Sequence, residues 1–212
     1  MSILPNLFFI NFKISINMKK LTTFLAFVFI LGLVNAQTTD WSFDPMHTNV
    51  GFSISHMGIS MVEGEFDEFS GGVTTTKEDF SDAQVDFTIK AASIDTDVAP
   101  RDGHLKSPDF LDVEKYPEIR FKGTVKERTL ANSYTLVGEL TMHGVTKPLT
   151  LSLTYLGQAY DSHNKLQKAG FKVNGVINRD EFGIPYNAPM PSGAPMIGRE
   201  IHLDASVELV KK

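Results

Sequence analysis

The chain has 212 residues, with 20 basic and 25 acidic side chains, a formal charge of −5 and no cysteine. The missing cysteines exclude disulfides, thiol catalysis and cysteine-ligated zinc or iron–sulfur centres. The acidic balance lacks the basic footprint that nucleic acids and anionic membrane surfaces require, so no nucleic-acid partner is expected.

The first element in chain order is a leader. Met18-Lys19-Lys20 is a short basic start, Leu21 to Val34 is apolar apart from Thr22, Thr23 and Gly32, and a small-residue pattern ends at Ala36. This three-part pattern predicts a secretory signal peptide over 1–36, and its apolar core is too short to span a bilayer. Residues 1–17 form an upstream extension, so Met1 and Met18 are alternative starts. The expected mature protein begins at Gln37, is periplasmic or secreted, and has no stable membrane anchor. No cysteine follows the cleavage point, which argues against a lipid-anchored lipoprotein. The mature region keeps 17 basic against 25 acidic side chains, a formal charge of −8, and is long enough for one domain over 37–212.

Apolar residues alternate with period two through most of that domain, which predicts strands with one buried face. Eight such runs occur: Val50–Ile54, Val62–Phe66, Val85–Ala91, Ile119–Val125, Tyr134–Met142, Leu149–Tyr155, Phe171–Ile177 and Ile201–Leu209. The expected fold is all-β, an eight-stranded antiparallel barrel, with a packed sandwich as the alternative. A barrel leaves no free edges and has room for one small ligand. Gly123, Gly138 and Gly175 fall on apolar faces, where a missing side chain permits curvature or close backbone approach.

Two segments interrupt the alternation. Residues 92–118 contain "RDGHLKSPDFLD" and have room for one or two helical turns. Leu105, Phe110 and Leu111 are spaced to face the barrel. Ser107 followed by Pro108 reads as an N-cap with proline at the first helical position, and Asp109 then lies in the first turn. Residues 182–199 carry Pro185, Pro189, Pro191 and Pro195 and form a second candidate lid.

The motifs for chemistry are weaker. His47 and His56 are nine apart, and His104 stands among Asp102 and Asp109 without compact metal-ligand spacing, so no metal or cofactor is predicted. Structural roles are the default for the histidines. Asp44, His47 and Ser53 supply the residue types of a catalytic triad, but there is no nucleophile elbow, and no catalytic residue is assigned. A hydrolase or isomerase acting on a lipid-like substrate is the alternative to a binding protein. A stress-related structural protein with a filled barrel is a third reading.

Five motifs occur in a recognisable order. They are Trp41-x-x-Asp44-x-x-His47-Thr48-x-Val50-x-Phe52-x-Ile54-x-His56, the insert from Arg101 to Asp112, Tyr116-Pro117-x-Ile119-x-Phe121, Gly144-Val145-Thr146-Lys147-Pro148, and Asn178-Arg179-x-x-Phe182-Gly183. Together they resemble the YceI-like family of polyisoprenoid-binding proteins over nearly the whole mature region, with threonine at position 48 where the family typically has serine. The resemblance implies an exported, lipocalin-like barrel with a helical insert that holds an isoprenoid or similar long amphiphile. It implies no reaction. A homodimer through a strand edge or lid is a family-level expectation.

The function expected from these readings is an exported carrier or sequestering protein for an isoprenoid, quinone or other long-chain amphiphilic lipid. Inward-facing Phe52, Phe87, Phe121, Leu140, Leu151 and Phe171 are the expected apolar lining. Arg101, His104, Arg179 and Arg199 are the expected contacts for a head group, because arginine presents two aligned donors to phosphate oxygens. Pairing of the three arginines with Asp102, Asp180 and Glu200 is the competing expectation.

Overall fold

Short turns between alternating strands favour antiparallel neighbours, and here the sheet they build closes on itself. The computed structural model describes residues 37–130, 132–188, 190–191 and 193–212. The expected signal segment lies outside the described residues. The strands are β1 Thr39–Phe43, β2 Asn49–His56, β3 Ser60–Phe66, β4 Phe69–Thr75, β5 Gln84–Lys90, β6 Ile94–Asp95, β7 Glu118–Leu130, β8 Ser133–Met142, β9 Val145–Asp161, β10 Leu166–Asn178 and β11 Ile197–Lys211. Among the described residues one α-helix, α1, spans Ala99–Lys106. Among the described residues no helix is long and apolar enough to cross a membrane.

Eleven strands occupy eight positions around the barrel, because three positions are each filled by two strands in succession. β1 and β2 both pair with β11, through Phe43↔Leu209 and Ala205↔Val50. β3 continues into β4, pairing with β2 and β1 in turn. β5 and β6 pair with β4 and β3. β7 to β11 follow in order, and the β1–β11 pairing closes the ring.

The first break has a chemical reason. Pro45 cannot donate to a ladder, so the chain leaves the sheet between β1 and β2. Thr48 fills the gap: its hydroxyl lies 3.2 Å from the Glu208 carbonyl and accepts from the Glu208 N–H at 3.1 Å. A hydroxyl serves here as both donor and acceptor, so threonine can fill a position where serine is usual.

One end of the barrel is packed shut. The loop between β4 and β5 carries Phe80 inward, where its ring meets Trp41 at 5.1 Å, Phe171 at 5.0 Å and Tyr155 at 5.8 Å between centroids. Phe80 adopts φ 59°, a left-handed conformation unusual for a large side chain. Burial of its ring in this cluster offsets that cost. The Asp82 carboxylate ties down the same loop by accepting from both hydroxyls of Thr75 and Thr76 and from the Thr76 N–H.

The other end is covered by the two segments that interrupt the strands. β7 begins opposite Lys90, so its ladder stops short of β6, and the insert crosses the gap. The expected helix start at Ser107-Pro108 is corrected. α1 begins nine residues earlier, with Pro100 in its first turn, and Ser107 is its C-cap. Either proline could open a helix on local grounds. The earlier one wins because Leu105, Phe110 and Leu111 then all face the barrel interior. Ser107 instead accepts from the Asp109 N–H at 3.3 Å, turning the chain rather than starting a helix.

The glycines act as the alternation suggested. Gly123 and Gly138 are paired across β7 and β8, and the Phe121 ring lies against both. A Cβ at Gly138 would sit 2.6 Å from Gly123 Cα and 2.7 Å from the Phe121 ring.

Candidate ligand-binding site

Inside the barrel is a cavity of about 730 Å³, within the range of roughly 300–1,000 Å³ usual for small-molecule sites. Its wall follows from strand alternation. Val85, Phe87 and Ile89 come from β5, Ile119 and Phe121 from β7, Leu136, Leu140 and Met142 from β8, and Leu149 and Leu151 from β9. The insert adds Leu105, Phe110 and Leu111, and the last loop adds Ile184, Tyr186 and Ala188.

Of the six expected lining residues, Phe52, Phe87, Phe121, Leu140 and Leu151 border the cavity. Phe171 does not. It faces inward but belongs to the packed end, 5.2 Å from the Tyr155 ring. Alternation identifies which face a residue takes, but not whether the loop carrying Phe80 has already filled the space beneath it.

The polar side chains on the wall are gathered near the covered end: Ser55, His56, Arg101, His104 and Arg179. Arg179, one of the expected head-group contacts, is the most deeply buried of them. It is 2% exposed and makes no ion pair within 4 Å among the described residues. Its guanidinium donates to the carbonyls of Ile184 at 2.6 Å and Gly198 at 2.8 Å. Burial lowers its pKa, while nearby Asp180 acts in the opposite sense. Guanidinium nonetheless stays protonated in proteins, so the wall of an apolar cavity carries a fixed positive charge.

Arg101 reaches Thr96, donating to its hydroxyl at 2.7 Å and its carbonyl at 2.6 Å. Asp102 accepts from the N–H of the same residue. The expected Arg101–Asp102 pairing is therefore indirect, with Thr96 between them. His104 packs edge-on against Phe110 and Tyr186, each 5.0 Å away, and its Nε2 is 3.0 Å from Asp109. This ring cluster joins the insert to the last loop. Arg199 lies outside the cavity wall, exposed and paired with Asp180 at 3.2 Å.

The histidines noted in the sequence separate. His56 lines the cavity, whereas His47 sits in the break between β1 and β2, with Nδ1 3.0 Å from Asp44. Asp44, His47 and Glu208 place three ligand atoms within 4.8 Å of one another. The Lys168 ammonium already lies among them, 2.6 Å from Glu208 and 3.2 Å from Asp44. This is an ion-pair network that bolts β10 and β11 to the strand break. Ser53 is remote from it: Ser53 pairs with His202, six residues along β11 from Glu208, about 20 Å at 3.3 Å per residue. The three residues do not converge as a triad.

A closed antiparallel barrel that encloses one apolar cavity, with a helical insert over its mouth, defines the structural class. Residues 41–209 match the family model of the YceI-like domain, and the chain belongs to that family. A UPF0312 protein of Serratia proteamaculans is 40% identical over 157 residues, covering 73% of this chain and 81% of its own. A UPF0312 protein of Staphylococcus aureus is 34% identical over 170 residues, covering 80% and 96%. The Campylobacter jejuni YCEI protein crystal structure superimposes with a TM-score of 0.64 at 30% identity, over 74% of this chain and 90% of that one. A polyisoprenoid binding domain from Saccharophagus degradans has a TM-score of 0.57 at 15% identity, over 81% and 98%, a likeness of fold alone.

Proposed function

We propose that this protein is exported and binds a long-chain amphiphile, an isoprenoid, quinone or similar lipid, which it carries or sequesters in the barrel. The observation that carries the reading is the polarity of the cavity. Its wall is apolar except near the covered end, where Arg101, His104 and Arg179 stand. That is the complement of a lipid with its tail in the barrel and its head group under the insert. The polyisoprenoid binding domain of similar fold supports the same ligand class, and the leader-like sequence at 1–36 supports export to the periplasm or beyond.

Binding needs no reaction to be useful. Each buried methylene contributes about 0.8 kcal/mol, so ten contribute roughly 8 kcal/mol before the cost of association. The tail supplies affinity and the head group selectivity. Arg179 is the principal head-group donor in this reading. Arg101 and His104 flank it, and Arg199, held by Asp180, contributes little.

Native mass spectrometry of gently purified protein is the direct test, and a copurifying lipid is the expected result. Leu140→Asp or Leu151→Asp places an unpaired charge in the cavity and abolishes that binding in protein still folded by circular dichroism. A prenyl pyrophosphate and the matching alcohol, compared at two salt concentrations, then define the head group. A salt-sensitive preference for pyrophosphate that disappears in Arg179→Met assigns it an anionic head. Equal affinity assigns a neutral one such as a quinone. Unchanged lipid affinity in both aspartate variants overturns the reading.

A further inference from the structure

The hairpin joining β2 to β3 violates two local rules at once. Its turn closes with the Ile59 N–H donating to the His56 carbonyl at 3.2 Å, and it holds Met57 at φ 56° and Gly58 at φ 72°. Those are the left-handed positions of a type I′ turn, where asparagine or aspartate followed by glycine is favoured. Methionine occupies the strained position without a place in the core. Met57, Ile59 and Met61 are 42%, 83% and 47% exposed. From Ile54 to Val62 the sole ionisable side chain is His56, in a chain that is 21% charged. A strained turn and an apolar exposed surface in one place signal a functional element.

The same hairpin stands at the opening of the cavity. Ile54, Ser55, His56 and Val62 line the wall, and the Met57 N–H donates at 2.7 Å to the carbonyl of Met196, another lining residue. β6 runs antiparallel to β3, so the chain leaving Asp95 heads towards the hairpin tip. It delivers Val98 and Pro100, which are both exposed and part of the cavity wall. The apolar surface of the tip therefore continues into the apolar lining of the barrel.

We propose that the Met57–Met61 tip docks into the surface of a zwitterionic lipid bilayer, so that the ligand passes between leaflet and cavity without crossing water. The proposal rests on the lipid-binding reading and names its partner. A bilayer fits better than a protein because the segment from Ile54 to Val62 carries no Asp, Glu, Lys or Arg, and because the apolar path runs on into a cavity. The acidic surface of the protein disfavours anionic leaflets, which attract basic segments. An uncharged apolar tip enters a zwitterionic leaflet without that opposition.

Ile59→Trp tests this directly, since position 59 is solvent-exposed and outside the core. The chain's own Trp41 is buried at the far end of β11, opposite Lys211, so its emission reports folding and not docking. On addition of phosphatidylcholine vesicles, the introduced indole shifts to shorter wavelength. Wild-type protein co-floats with the vesicles, and Met57→Ser/Ile59→Ser/Met61→Ser co-floats at least tenfold less. Leu156→Ser, an equally exposed apolar site near the closed end, co-floats as wild type does.

An unshifted indole in folded protein overturns the proposal, as does an equal loss in Leu156→Ser. A tip-dependent dimer that ignores vesicles also overturns it and assigns the surface to a second copy of the chain. Delivery of a prenyl alcohol from cyclodextrin separates the two readings. Protein that takes up this alcohol but ignores vesicles loses only the docking proposal. Protein that docks but takes up lipid from neither source loses the lipid-binding reading.

Discussion

Gly138 and Gly103 are the same residue under opposite constraints. Gly138 lies beneath the Phe121 ring and against the neighbouring strand, whereas a Cβ on Gly103, in α1, would meet nothing within 4 Å. Gly138→Ala is expected to destabilise the protein by about 1–3 kcal/mol through overpacking. Gly103→Ala should stabilise it by about 0.4–1 kcal/mol by restricting the unfolded chain. Urea midpoints of the two variants, moving in opposite directions, check the pair. Asp44 offers a pH test. Burial alone would raise its pKa, but hydrogen bonds from His47, the Met46 amide and Lys168 outweigh burial and hold it at about 2 instead of 3.8. A depressed carboxyl contributes stability that is complete above its unfolded pKa and is lost as pH falls through the folded one. Asp44→Asn should therefore be less stable than wild type at neutral pH and should show a flatter decline between about pH 4 and pH 2. Urea midpoints across that window decide it, with Asp82, also near 2, and Asp161, lowered by hydrogen bonds from Asn164, contributing to the remaining slope. Residue-level reading of the sequence had its limit at Arg179. Its neighbour Asp180 suggested an ion pair, but Asp180 pairs with Arg199, while Arg179 is turned inward onto carbonyls that only the folded loop brings near.

At the scale of elements, eight alternating runs were legible because each alternates against the barrel interior. β1, β4 and β6 were not. β1 has five residues, β4 carries Gly71 and Gly72, and β6 has two residues. Too few side chains alternate in these pieces to signal a strand, and what makes them strands is a neighbour already in place. The loop that carries Phe80 was hidden for the same reason, since nothing local marks a phenylalanine as a stopper. Phe80→Ala should cost about 3–5 kcal/mol, the range for a large buried aromatic. It should also extend the cavity into the packed end, so that Phe171 becomes reachable by ligand. Denaturation curves measure the first effect. A longer bound chain in native mass spectra measures the second.

At the scale of the molecule, β11 closes the barrel against both β1 and β2, and its seam with β1 is the short one. β1 and β11 share three paired positions, Trp41↔Lys211, Ser42↔Val210 and Phe43↔Leu209. Removing residues 208–212 takes away the part of β11 that pairs with β1, together with the Thr48 and Lys168 contacts of Glu208. The truncated chain should lose its cooperative urea transition and bind an apolar dye. Leu209→Ala keeps the ladder and loses only packing, so it should unfold cooperatively at a midpoint lowered by the equivalent of about 2–5 kcal/mol. If both behave alike, packing at Leu209 holds the barrel shut and the seam does not. The overall architecture was legible in the sequence because an even series of one-sided strands needs closure. The cavity was only partly so, since its limits depend on which loops enter the barrel.

The seam also sets an order in time. Ser42 and Val210 touch although 168 positions separate them, so a chain emerging from the ribosome carries its first strand for almost its whole length before the matching edge exists. Folding dominated by such distant pairings takes roughly milliseconds to seconds. Until then the faces that will line the cavity are open to whatever apolar molecule, or neighbouring chain, is nearby. A barrel that finishes last at its seam offers an enclosed cavity only once its final strand has paired.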